Sequence, residues 1–405
     1  MKFKRYRIAD LLDEISMGPF GSNIKKECFV ETGVPVLNGS NLTGIALNDD
    51  EFRYVTEEKA DSLGKANAHR SDVVVTHRGT LGQISFIPET SKYERYVISQ
   101  SQFRFRCNEK VLPEYLTYYF HTRKGQYDLL SNASQVGVPA LARATTTFQQ
   151  LEVEIPDIVE QHKIVEIFEN FRKKMEINIK INNNLEHQAR TIYNAWFVEL
   201  EPFNGKIPSD WIVSKLGDIA SIKTNSFVPA KNSDAQLEHY SIPAYDDQKY
   251  PVFESATGVK SNKYILTSNS VMISKLNPET KRVWRPMCLS GLAVSSTEFI
   301  IFEAFNPKYR DFVFSIIDSV AFSDWMCAHT TGSTNSRQRT APNATLEFQF
   351  VLPDEKAIMD FCAIVTPMYD AIAANICENQ KLAQLRNAIL PKLMSGELDV
   401  SNIKL

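Results

Sequence analysis

The chain lacks the signatures by which catalytic proteins are usually recognised. Its 405 residues hold no G-x-x-x-x-G-K-[ST] phosphate loop, no G-x-G-x-x-G after a strand-like run and no H-E-x-x-H. A G-x-S-x-G nucleophile elbow is also missing. The six cysteines (Cys28, Cys107, Cys288, Cys327, Cys362 and Cys377) form no C-x-x-C pair and no metal-like spacing. They read as reduced thiols of a cytoplasmic protein. His69, His77 and His121 have no ligand spacing either. The adjacent acids Asp246 and Asp247, or Glu154 with Asp157, read as solvated faces. The basic start, Met1 to Arg7, runs straight into Ile8-Ala9-Asp10-Leu11-Leu12-Asp13-Glu14, which leaves no signal-peptide core. No run approaches the ~18 apolar residues of a membrane span, so no membrane partner is expected. A metal, a bound cofactor and an active site are all unexpected on these grounds.

Charge of one sign is lacking too. The net charge is −3. Residues 1–155 carry 19 basic and 19 acidic groups, and residues 201–353 carry 15 of each. Bulk charge therefore gives no ground for non-specific phosphate binding. If nucleic acid is the partner, the cations must be placed locally or supplied by another subunit. What is present is ordinary globular material, 43% hydrophobic and 23% charged. The length allows two to four domains.

The strongest positive signal is a repeat. A strand-like stretch ends at Ile155-Pro156-Asp157 and passes into a helical pattern, and Leu352-Pro353-Asp354 does the same 197 positions later. Val97-Ile98-Ser99-Gln100 matches Ala293-Val294-Ser295-Ser296 at an offset of 196. Two copies of one globular-plus-helix unit are implied, not a solenoid.

After each of those junctions the apolar residues step by four and three. The first seam is Ile164, Phe168, Phe171, Met175, Asn178, Asn182, Leu185, Ala189, Ile192, Trp196. The second is Phe361, Val365, Met368, Ile372, Asn375, Asn379, Leu382, Arg386, Ile389, Leu393. Both are heptad patterns. Asn178 and Asn182 correspond to Asn375 and Asn379, and each pair straddles the middle of its seam. Asn on a seam fixes register and partner at a cost in stability. An antiparallel coiled coil with an internal pseudo-twofold axis would bring all four together. Pro367 predicts a kinked first turn or a late start for the second helix, and Pro391 marks its last turns.

The remaining segments read as mixed strand and helix, an α+β class. In the first, strands are predicted at 72–76, 102–106 and 148–155, with a helix over 112–128. The second mirrors this with strands at 270–274, 298–302 and 346–352 and a helix over 309–325. Polar, cation-bearing loops lie between them. Side chains able to read base edges or grip phosphates are Ser22, Lys25, Asn41, His77, Arg78 and Thr80 in the first copy. The second copy offers Lys275, Arg282, Arg285, Asn335, Arg337 and Arg339.

Several runs then carry a family resemblance over essentially the whole chain. Ile155-Pro156-Asp157-Ile158-Val159-Glu160-Gln161-His162-Lys163-Ile164 resembles the start of the first conserved helix of type I restriction-modification specificity subunits. Trp196 to Phe203, with Gly205 to Trp211, resembles the junction to their second recognition domain. Leu385-Arg386-Asn387-Ala388-Ile389-Leu390-Pro391-Lys392-Leu393-Met394-Ser395-Gly396-Glu397-Leu398 resembles their C-terminal signature, and Gly18–Ser22 and Arg78–Gly82 match recurring loops.

The resemblance implies a non-catalytic reader of double-stranded DNA. It places target-recognition domains at 1–155 and 201–352, and spacer helices at 156–200 and 353–405. Two methyltransferase subunits are the implied partners, with a restriction and translocase subunit as a further one. S-adenosylmethionine, ATP and Mg are expected on those partners and none on this chain. A seam from 164 to 196 would be roughly 50 Å long at ~1.5 Å per residue. At ~3.4 Å per base pair, two half-sites would lie on the order of 10–15 base pairs apart. One departure stands out. Asp354-Glu355-Lys356-Ala357-Ile358 has no counterpart of Glu160-Gln161, which predicts asymmetric docking if that pair contacts a partner. The alternatives are a related system whose partner both methylates and cleaves, and a coiled-coil scaffold that binds no DNA.

Overall fold

Alternation in Gln102-Phe103-Arg104-Phe105-Arg106 sends phenylalanine to one face of a strand and arginine to the other. In the computed structural model, which describes residues 1–134, 137–331 and 338–401, this run is the strand Gln102–Cys107. Phe103 and Phe105 enter a core with Phe120 and Phe148. Arg104, on the opposite face, is also buried, against Glu14 at 3.1 Å and Asp72 at 3.3 Å. Arg106 takes the other Asp72 oxygen at 2.9 Å. Asp72 has no exposed surface. Two guanidinium groups and the His69 N–H, donating at 2.9 Å, make its buried charge tolerable.

The chain forms two compact units, one of residues 1–173 and 382–405 and one of residues 174–381. In the first, an antiparallel sheet runs in the order 12–17, 102–107, 72–76, 84–86. A second sheet runs 53–55, 34–36, 95–97, 67–69, with one parallel pairing between 34–36 and 95–97. The other unit repeats this order strand for strand: 220–223, 299–304, 270–274, 283–284, then 252–255, 236–240, 293–296, 263–265. Its parallel pairing, 236–240 with 293–296, falls at the corresponding place. One extra short strand, Ser226–Phe227, extends its second sheet. The duplication therefore holds at the level of strand order.

Two expectations from periodicity need correction. The helix predicted over 112–128 is two helices, Pro113–His121 and Arg123–Leu130, and that over 309–325 is Arg310–Ile317 and Val320–Ala328. Caps divide them: the Thr122 hydroxyl accepts from the Gly125 N–H at 3.0 Å and the Ser319 hydroxyl from the Phe322 N–H at 3.1 Å. The corner is so tight that a Cβ on Gly125 would lie 2.2 Å from the Tyr119 carbonyl oxygen. The strand predicted from 148 begins only at Glu152, because Phe148 belongs to a short helix, Ala144–Gln150. In the second unit Leu346 ends the corresponding helix, and the strand is Gln349–Leu352. Packing of Phe148 among three aromatic rings outweighs its strand preference.

The long helices are Ile158–Phe197 and Glu355–Met394, each of 40 residues. Asp157 caps the first by accepting from the Glu160 N–H at 3.0 Å, and Asp354 caps the second through the Ala357 N–H at 2.6 Å. The second helix does not start late. It runs through Pro367, because Ile358, Phe361, Val365, Tyr369 and Ile372 anchor both sides of the missing donor in the core. By length and composition alone this helix could cross a membrane. Of its apolar stretch, 39% is buried in the core of the second unit.

Each unit takes part of each helix. In the first, Ile164 and Phe168 pack with Leu390, Leu393 and Met394. In the second, Ala189 and Tyr193 pack with Ile358, Phe361 and Val365. There the seam asparagines meet as the pattern implied. The Asn178 amide donates to Oδ1 of Asn379 at 2.8 Å. Partner numbers fall as the first numbers rise, so the two helix segments are antiparallel.

The missing Glu-Gln also finds an explanation. Gln161 is wholly buried, donates to the carbonyls of Lys110 and Pro156, and accepts from the Leu112 N–H at 2.9 Å. It braces the start of the 113–121 helix and is unavailable to a partner, so it gives no ground for asymmetric docking.

Candidate functional site

In the first unit the strand 72–76 delivers His77 to a loop held by three backbone bonds. The His77 N–H donates to the Ser101 carbonyl at 2.9 Å, Leu141 to His77 at 2.8 Å and Gly79 to Pro139 at 2.9 Å. The Gly18–Ser22 loop rests on the same segment. Gly18 donates to the Gln102 carbonyl at 2.8 Å, and a Cβ there would lie 1.9 Å from the Ser99 oxygen. One surface thus gathers Ser22, Lys25, Arg78 and Thr80, all exposed. Neither Lys25 nor Arg78 has an ion pair among the described residues. Nε2 of His77 lies 3.2 Å from the Gln100 carbonyl, which only accepts, so Nε2 carries the proton. Burial lowers the His77 pKa. The ring is neutral at pH 7, and the loop's positive charge belongs to Arg78.

The second unit builds the same loop from other side chains. Lys275 donates its N–H to Glu298 at 2.9 Å, Thr340 donates to the Lys275 carbonyl at 3.1 Å, and Asn277 to Gln338 at 3.0 Å. An isolated bridge joins Arg78 to Ala140 in the first unit and Leu276 to Arg339 in the second. Lys275 therefore stands where His77 does, Leu276 where Arg78 does, and Arg339 where Ala140 does. Lys275 is half-buried and has no ion pair among the described residues. Arg339 is exposed, but both Glu298 oxygens hold its guanidinium, at 3.0 and 3.1 Å.

Three of the residues expected to touch a ligand are structural instead. Asn41 is fully buried. Its amide donates to the Asn48 and Asp50 carbonyls, and its oxygen accepts from the Asn38 N–H. Arg282 makes a two-point pair with Asp246, at 2.6 and 2.9 Å. Arg285 is bound to Asp311 at 2.7 Å and to Asp370 of the second long helix at 2.7 Å. All three are corrected: neighbouring loop residues occupy the polar atoms of Asn41, and acids remote in sequence hold Arg282 and Arg285. Asn335 and Arg337 lie outside the described residues.

Sequence reasoning passed over Gln83 and Glu298. Gln83 accepts from the Thr76 hydroxyl at 3.1 Å and donates to the Gly39 carbonyl at 2.9 Å, tying a second loop to the surface. Glu298 carries no sequence signal of this role: the pattern puts it at the start of a strand over 298–302, whereas the strand begins at Phe299. A cavity in the second unit, lined by Glu186, Arg190, Lys249, Lys281 and Asp318, holds its charges in mutual pairs at 2.6–2.9 Å. Among the described residues no three His, Cys, Asp or Glu side chains gather as metal ligands.

Residues 3–187 match the family model described as the type I restriction modification DNA specificity domain. The chain is 23% identical to the type I restriction enzyme MjaIX specificity subunit of Methanocaldococcus jannaschii, over 87% of this chain and 83% of that one. It is 20% identical to the HindI specificity subunit of Haemophilus influenzae, over 95% and 99%. A crystal structure of a type I restriction-modification S subunit from M. genitalium superposes with a TM-score of 0.58 at 15% identity, covering 97% of this chain and 96% of that one. This last likeness shows the fold.

Proposed function

We propose that the chain belongs to the family of type I restriction-modification specificity subunits, and that each of its two units reads one half of a bipartite duplex target. It recognises DNA sequence and leaves catalysis to other subunits. The observation that carries the proposal is the pair of equivalent loops. The same three backbone bonds present His77 and Arg78 in one unit and Lys275 and Leu276 in the other. A fixed frame with exchanged side chains is what two different half-sites require.

The recognition domains are 1–155 and 201–352 in this reading. The long helices set the number of unread base pairs between half-sites and dock two methyltransferase subunits, with a restriction subunit joining them in the cytoplasm. Exposed Ser22, Lys25, Arg78 and Thr80 face DNA from the first domain. Lys275 does so from the second, joined by Arg339 once Glu298 gives it up. Near-neutral domains cannot hold a duplex by phosphate contacts alone, which supports a clamp completed by partner subunits.

Methylome sequencing of cells expressing this chain with its methyltransferase tests the reading. One gapped motif is expected, and exchanging residues 201–352 for those of another family member should change one half only. A motif altered in both halves, or in neither, would overturn it. Failure of the assembled complex to enrich any gapped duplex would favour a protein scaffold.

A further inference from the structure

Phe20 is 83% exposed, more than any other large apolar side chain described. It is no frayed residue. Its carbonyl accepts from the Asn23 N–H at 2.8 Å, and the glycines beside it press on neighbouring chain. A Cβ on Gly21 would meet the Gln100 side-chain oxygen at 2.1 Å, so the loop is seated on Gln100, whose carbonyl also faces His77. The ring is thus held out in water beside Ser22, Lys25 and Lys26, on the surface that carries Arg78. Apolar surface exposed among cations points to a partner that is anionic outside and apolar within, and stacked base pairs meet that description. Among the described residues, the second unit has no such ring at the corresponding place. After strand 220–223 its chain joins a sheet at Ser226–Phe227, and Phe227 is buried and paired with Lys263.

We propose that Phe20 inserts as an apolar wedge at one base step of the half-site read by the first unit, and that this half-site alone is unstacked. The proposal rests on the DNA-reading function above and adds a contact that distinguishes the two halves. It also makes deformability of that step part of the target's specificity.

The test uses the full chain assembled with its methyltransferase subunits and duplexes of the methylated motif. 2-Aminopurine replaces one base at a time, and scrambled duplex serves as control. With the native chain, fluorescence should rise at one step, in the half read by the first unit. Phe20→Ala should abolish the rise and weaken binding about tenfold to a hundredfold, the range of one base–aromatic contact. Phe20→Leu, still an apolar wedge, should keep part of both. Unchanged affinity and an unchanged fluorescence profile in Phe20→Ala would overturn the wedge while leaving the reader intact. If the native complex prefers no duplex over the scrambled control, both fall.

Discussion

The side-chain amide of Asn375 donates to Oδ1 of Asn182 at 2.8 Å, joining residues 193 positions apart across the two long helices. With the Asn178–Asn379 bond it forms a polar lock in the middle of a largely apolar seam. Removing one partner leaves the half-buried Asn375 amide without its acceptor, so Asn182→Ala should cost about 1 kcal/mol in urea unfolding. Replacing both Asn182 and Asn375 by Leu should recover stability but relax register. A double-mutant cycle showing no coupling between them would refute the lock.

Arg285 should behave as a structural residue. Asp311 is nearly inaccessible and also receives Arg310 and the Thr366 hydroxyl. Arg285→Ala leaves that carboxylate short of its main partner and should cost about 3 kcal/mol. The methylated motif should not change. A stable variant with altered specificity would place Arg285 on DNA after all.

Arg78 should behave in the opposite way. Arg78→Ala should leave the melting temperature within about 1 °C, as an unpaired exposed residue allows. Binding should weaken, and if the contact is to phosphate the slope of log K against log salt should fall by about 0.9. Glu298→Gln, which frees Arg339, should strengthen binding of the complex. A weaker complex would show that Glu298 itself reads the target.

Stability should fall in mild acid. Burial is the first cause lowering the pKa of both His121, which faces the Ile84 carbonyl at 2.8 Å, and His239, beside Glu254. The unfolded chain takes up these protons near pH 6.5 and the folded chain only lower. Unfolding therefore binds protons in that window, and the contribution is complete above it and lost as pH falls below it. Melting temperatures at pH 7.5, 6.5 and 5.5 should decline, and His121→Gln should flatten the decline. An unchanged slope would remove His121 from the account.

Periodicity made the helix pair legible, because burial repeats every three or four residues and Asn interrupts it at matched places. Both the seams and the offset of 197 lie in the sequence. The recognition loops were legible only as positions. Arg282 and Asp246 are 36 residues apart, and Arg339 and Glu298 are 41. Nothing local says that these guanidiniums are already engaged. Thr122 and Ser319 ended helices that periodicity would have continued, since hydroxyl caps compete with an apolar stripe that runs on past them. Pro367 erred the other way, its local cost outweighed by the core on either side.

The division of the chain also sets the order in which it can be made. Residues 174–381 form one unbroken stretch and can close their core while synthesis continues. The other unit waits for Leu390, Leu393, Met394 and Val400, which complete its core from the far end of the chain. Lys163 then donates to the Val400 and Ser401 carbonyls, and Ser401 to Glu160. The first domain to leave the ribosome is thus the last to finish folding, and a ribosome stalled before residue 390 would display it with its apolar face uncovered.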